Sequence, residues 1–205
     1  MNNKIFLCFP EKIWSRDEVL TKPSPIPAKG GLYFWWFKHS PPIVPLENCL
    51  ELNGLKLLYI GIAPDGRTKP NSRSTLRKRI KNHFRGDAAC STLRKTLGVL
   101  LANESGFPLR RVGSNNRLTL THWGEQWLDD WLQNNAFVSW VEHDTPWVLE
   151  DEFINSLSLP LNILGNDHHR FKSILSHLRS QAIKTAKEMQ VANQSGTQRT
   201  NIVKK

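Results

Sequence analysis

The sequence predicts one domain of the α/β class, and three observations carry that prediction. Three short runs rich in aromatic and β-branched residues, LYFWWF (32–37), LKLLYIGI (55–62) and FVSWVEH (137–143), read as strands. Between and after them lie stretches in which apolar residues recur at helical spacing behind capping residues. The chain has 205 residues, enough for one sizeable core and hardly for two, and its 8 Trp and 9 Phe supply apolar area to fill it.

The elements follow in order. KPSPIPAKGG (22–31) is a Pro and Gly cluster that reads as an extended connector into the first strand. A Pro-rich insert beginning HSPPIVP separates that strand from LKLLYIGI, and the two are placed to pair across it. A basic helix is expected from a Ser74 cap to Phe84. A second, STLRKTLGVLLA (91–102), sets Leu93, Leu97, Leu100 and Leu101 at helical spacing. GFPLRRVGSNN (106–116) is turn-rich. The segment 121–135 carries Trp123, Trp127, Leu128 and Trp131 on one helical face, read as core packing. TPWVLEDEFINSL starts a helix at Pro146, with Leu149, Phe153 and Leu157 as its apolar face. One more helix spans HHRFKSILSHLRSQAIKTAKEM, and the polar segment 191–205 reads as a flexible tail.

Charge and cysteine content bound the function. Lys and Arg number 28 against 18 Asp and Glu, a net charge of +10, so the field favours polyanions, with nucleic acid the leading partner. The three cysteines, Cys8, Cys49 and Cys90, show no CxxC spacing, which argues against a zinc knuckle or a disulfide framework and fits a reducing cytoplasm. The N-terminal run IFLCF is too short for a signal segment, and nothing approaches a membrane span. A cytoplasmic protein is expected.

Much of the positive charge lies between Arg67 and Lys95, and helical geometry divides it. With Leu76 at zero and about 100° per residue, Ile80 falls near 40° and Phe84 near 80°, which defines the core side. Arg77, Lys78, Lys81 and Arg85 occupy the solvated face. Arg79, near −60°, and His83, near −20°, lie on the apolar side. In the helix that follows Pro146, Glu150 falls inside the apolar arc, while Asp151 and Glu152 point elsewhere. Two helices thus each turn one charge inward, of opposite sign. Either the two pair as a structural salt bridge or they share a site. A carboxylate that holds a divalent cation, beside an Arg that binds phosphate, suits phosphodiester chemistry.

These residues resemble the GIY-YIG nuclease family. Gly31, Leu32 and Tyr33 stand for its first motif and Tyr59, Ile60 and Gly61 match its second. Arg79 and His83 follow four residues apart, then Glu150 near the start of a later helix and Asn162 twelve residues on. The resemblance covers about residues 30–166, with inserts at about 38–54 and 107–135, an N-terminal extension over 1–29, and a C-terminal helix with a basic tail over 167–205. It implies an α/β sandwich whose small central antiparallel sheet has three strands and is flanked by helices.

The activity implied is hydrolysis of DNA by an endonuclease, with RNA a less favoured substrate and one Mg²⁺ or Mn²⁺ held at Glu150. Tyr33 would deprotonate or relay a proton from the attacking water and Tyr59 would orient it, an assignment that can be reversed. Arg79 and the metal would lower the phenol pKa. Arg79 would bind the scissile phosphate, and His83 would bond a phosphate, the water or a Tyr. Gly61 and Asn162 would shape the backbone at the site edge. Lys69, Arg73, Arg77, Lys78, Lys81 and Arg85 would contact nucleic acid, and a dimer would serve double-strand cleavage. Two alternatives stand beside this one: a non-catalytic nucleic-acid-binding module on the same scaffold, and a basic structural protein with an Arg79–Glu150 ion pair.

Overall fold

The computed structural model describes residues 10–67 and 71–193. At its centre lies strand β2 (Gly31–Phe37), every residue of which is buried. It pairs antiparallel with β4 (Leu55–Ala63) on one side and β7 (Ala136–Glu142) on the other. A strand covered on both faces has no polar side to alternate with, which explains the unbroken apolar run GLYFWWF. Tyr33, Trp35 and Phe37 enter one core cluster, whereas Leu32, Phe34 and Trp36 enter another on the opposite face.

The expected three-stranded sheet is corrected to five strands, in the order β1-β7-β2-β4-β3. The additions are the two-residue strands β1 (Trp14–Ser15) and β3 (Glu51–Leu52), one at each edge. Both come from segments read as extension and insert. Two residues are too few to carry a period-2 pattern, yet they partly cover edges that would otherwise offer unpaired backbone.

Helix α1 (Arg16–Leu20) follows β1 directly, and Val19 and Ile26 of this N-terminal region join the first core cluster. On the same face lie α2 (Leu76–Arg85) and α3 (Thr92–Leu100). Thr75 rather than Ser74 caps α2, its hydroxyl accepting from the Lys78 N–H at 3.3 Å. A short α4 (Ala102–Ser105) and the hairpin β5 (Arg110–Val112) and β6 (Arg117–Thr119) lead to α5 (His122–Asn135). Helix α6 (Pro146–Ser156) covers the other face through Leu149, Phe153 and Ile154. Helix α7 (Phe171–Glu188) returns to the first cluster through Phe171 and Leu175.

The buried face of α5 differs from the expected Trp face. Trp123 is 40% exposed and Trp127 and Trp131 are only partly buried, while Glu125, Leu128, Asp129 and Leu132 point inward. The cause is Arg94 of α3, which is fully buried. Its guanidinium donates to Glu125 Oε2 from Nη2 at 2.6 Å and to Asp129 Oδ1 from Nη1 at 2.8 Å. A buried guanidinium needs carboxylates, and that need turns the acidic face of α5 inward.

Candidate active site

The two tyrosines are brought together by strand register. Tyr33 of β2 lies opposite Gly61 of β4, and Trp35 lies opposite Tyr59. A bulge between Trp35 and Trp36 leaves Leu58 as the extra residue of β4, so that Leu58 and Tyr59 enter the same cluster as Tyr33. Gly61 has a steric reason: a Cβ there would sit 2.5 Å from the Tyr33 hydroxyl oxygen. Any side chain at this position would displace the ring.

Helix α2 presents His83 and Arg79 to these rings. His83 is fully buried, with Nε2 3.0 Å from the Tyr33 hydroxyl and Nδ1 2.7 Å from Ser91 Oγ. Ser91 is also the N-cap of α3, its oxygen accepting from the Arg94 N–H at 3.1 Å. The set of bonds that satisfies every member has the Ser91 O–H donating to Nδ1 and the Nε2–H donating to the Tyr33 oxygen. Burial, with Arg79 and Arg94 nearby, holds the His83 pKa well below its ordinary value, so the ring is neutral. Arg79 acts electrostatically on both hydroxyls, and its Nη1 donates to the Cys90 carbonyl at 3.4 Å.

Arg79 alone does not lower the phenols. Burial dominates at both Tyr33 and Tyr59 and raises their pKa, with Arg79 opposing it. In the free protein both are neutral phenols at neutral pH.

Glu150 projects from α6 near its start. The guanidinium of Arg67 donates to Glu150 Oε2 at 2.6 Å from Nη2, to Asp151 Oδ1 at 2.5 Å from Nη1 and to Asp65 Oδ1 at 3.2 Å from Nε. The Glu150 ion pair therefore goes to Arg67 of the loop after β4 and not to Arg79, and Asp151 turns toward the same loop. This removes the basis for a structural Arg79–Glu150 bridge. Burial raises the Glu150 pKa to about 7, with Arg67 pulling it down and the neighbouring Asp65 and Asp151 pushing it up. Asn162 holds the outer edge of β4: Oδ1 accepts from the Ile60 N–H at 2.9 Å and Nδ2 donates to the Ile60 carbonyl at 3.0 Å.

A cleft of about 560 Å³ joins these groups around the open edge of β4. Tyr33, Tyr59 and Gly61 line it from the sheet, Arg79 from α2, Glu150 and Asp151 from α6, and Arg179 from α7. Among the described residues, no three or more His, Cys, Asp or Glu side chains are arranged to hold a metal. A hexacoordinate Mg²⁺ needs fewer, because one or two carboxylates, water and substrate oxygens complete its shell. The donor set fits such an ion: Glu150 offers a carboxylate, Asp65 and Asp151 add negative charge, and a guanidinium already sits there as cation.

The expected nucleic-acid contacts divide. Arg73, Lys78 and Arg85 are exposed and Lys81 is half-buried. Arg77 is corrected from the solvated face, since its Nε donates to the Ile26 carbonyl at 2.6 Å and anchors the N-terminal connector. Lys69 lies outside the described residues. Arg67, Ser91 and Arg179 are cleft or relay residues that sequence reasoning missed. Arg67 sits in a loop with no period to read. Arg179 had a signal: with Leu175 at zero it falls near 40° on α7, within the stripe that contains Phe171 and Ala186.

A curled antiparallel sheet between helices, with paired tyrosines, an inward Arg and a helix-borne Glu in one cleft, defines an α/β domain with a nuclease-type fold. The family model described as the GIY-YIG catalytic domain matches residues 31–181, well over half of the chain. The chain belongs to the GIY-YIG family, and the matched region runs into α7 far enough to include Arg179. Comparison with curated proteins and with solved structures gave no match.

Proposed function

We propose that this protein is a metal-dependent endonuclease that hydrolyses phosphodiester bonds in DNA. The observation that carries the reading is the meeting, in one cleft, of Tyr33, backed by buried His83 and Ser91, with Arg79 and the half-buried carboxylate of Glu150. Glu150 would hold one Mg²⁺ or Mn²⁺, which supplies positive charge to the phosphate and to the departing oxygen.

The chain's own residues do the rest. Arg79 binds a non-bridging oxygen of the scissile phosphate through its planar donors and offsets charge as the pentacovalent state forms. Tyr33 takes the proton of the attacking water, which requires that it first release its own proton to solvent through the cleft it lines. Two groups favour that phenolate: the Arg79 guanidinium and the Nε2–H of His83. Because His83 stays neutral, it donates to the phenolate without bringing a second charge into the core. Tyr59 orients the water from the neighbouring strand. Asn162 and Gly61 keep β4 and the Tyr33 ring in register and take no part in the chemistry.

The test is a cleavage assay on duplex, branched and single-stranded DNA and on RNA, with Mg²⁺ and with Mn²⁺. DNA is expected to be cut and RNA to be cut less. Salt-sensitive binding with no cleavage under either metal would favour the non-catalytic module instead.

A further inference from the structure

Arg179 is a cation in the cleft that the reaction above does not use and, unlike Arg67, it is held by no carboxylate among the described residues. It lies on the apolar stripe of α7, and its guanidinium lines the same cavity as Tyr59 and Arg79. Its bond to a side chain is a long one to a neutral group, Nη1 to Thr96 Oγ1 at 3.4 Å. Among the described residues no carboxylate pairs with it, and the group that favours its charge is the Tyr59 hydroxyl. Lys95, half-buried on α3, is a second cation that repels it. Asp87, the acid that faces Lys95, is already paired with Arg117 at 2.7 Å.

The contrast within the cleft is chemical. The carboxylates Asp65, Glu150 and Asp151 are all engaged by Arg67. The α7 wall carries the Arg179 guanidinium, with which no carboxylate pairs among the described residues. A guanidinium drawn partly out of water with no counter-ion costs stability, and a long bond to a neutral hydroxyl recovers little of that cost. Binding an anion recovers it. Arg94 shows the opposite case in the same protein, since burial there is matched by two carboxylates.

We propose that Arg179, supported by Lys95, forms a second phosphate subsite in this cleft, which takes a phosphodiester adjacent to the one held by Arg79. The ligand class is a nucleic-acid backbone contacted at two phosphates, one on the α2 side and one on the α7 side. This rests on the nuclease reading for its substrate but not for its test, which needs no cleavage. Arg179 acts in binding and positioning: a strand held at two points enters with the scissile phosphate fixed against Arg79.

The experiment measures binding of a labelled duplex DNA to the full-length protein in EDTA, from 50 to 200 mM salt, for wild type, Arg179→Met and Arg179→Lys. Melting temperatures are taken on the same samples. The subsite predicts that Arg179→Met weakens binding about tenfold at the midpoint of that salt range and lowers the slope of log K against log salt by about 0.9, one phosphate contact. It predicts that the free Met variant melts at the same temperature as wild type or higher, because an unpaired charge has been removed. The Lys variant should keep most of the slope. An unchanged slope and affinity in the Met variant overturns the subsite alone, leaving any cleavage by the wild type unexplained by it. A Met variant that melts lower and binds like wild type gives Arg179 a structural role and also overturns it. Wild type that binds no duplex at 50 mM salt overturns the subsite together with the nuclease reading. A slope change in a protein that never cuts retains the subsite and removes the nuclease.

Discussion

Glu150 stands near the midpoint of its own titration at neutral pH, its pKa raised from 4.5 to about 7 by burial. A carboxyl whose pKa is higher in the folded than in the unfolded chain stabilises the fold in its protonated form. That contribution is complete below about pH 4.5 and is lost as pH rises through about 7. In EDTA, wild type should therefore lose stability relative to Glu150→Gln across that window, on the order of 3 kcal/mol, and the difference should level off above pH 8. Urea melts of the two proteins check it, and His83, common to both, cancels. A flat difference would show that Glu150 is ionised throughout. The Tyr33 oxygen makes a second residue-scale prediction. Tyr33→Phe leaves the ring in place but removes the acceptor for His83 Nε2, and single-turnover cleavage should fall by at least about 100-fold with DNA affinity unchanged. Gly61→Ala acts on the same ring from across the sheet, and the overlap at 2.5 Å should cost about 1–3 kcal/mol of stability with a loss of activity.

At the scale of elements, α3 and α5 are joined by a buried ion network. Glu125 accepts from Arg94 Nε and Nη2, the Thr119 hydroxyl and the N–H groups of Ala88 and Leu120. Glu125→Ala leaves Arg94 buried beside Asp129 alone and should destabilise the domain by about 3–5 kcal/mol, read from chemical denaturation. A loss under 1 kcal/mol would mean that water or another acid replaces it. This network explains which helices were legible in the sequence. Apolar periodicity places Arg79, His83 and Glu150 correctly because each helix packs a plain hydrophobic stripe. It fails on α5, where Trp123, Trp127 and Trp131 suggest one face and the need of Arg94 for acids selects another. The same rule reaches Arg179 when applied to α7, so that residue was readable without the structure. Arg67 was not, because the loop between β4 and α2 has no periodicity.

Across the whole molecule, the sheet shows the same division between pattern and context. The three long strands are visible as aromatic and β-branched runs, and their antiparallel pairing follows from the Tyr33 to Gly61 register. The edge strands at Trp14–Ser15 and Glu51–Leu52 are set by what lies beside them, which no local pattern encodes. Charge is a whole-molecule property too, and a net +10 that includes exposed Arg73, Lys78 and Arg85 predicts DNA affinity that falls steeply with salt. The central claim is that this charge delivers DNA to a cleft where Glu150 completes a hydrolytic site. Its most direct test is single-turnover cleavage of supercoiled plasmid in Mg²⁺ by wild type and Glu150→Ala, matched beforehand for fold by melting and for DNA binding in EDTA. Wild type should nick the plasmid and the variant should not, with binding equal in the two. Cleavage by the variant at the wild-type rate would contradict the account.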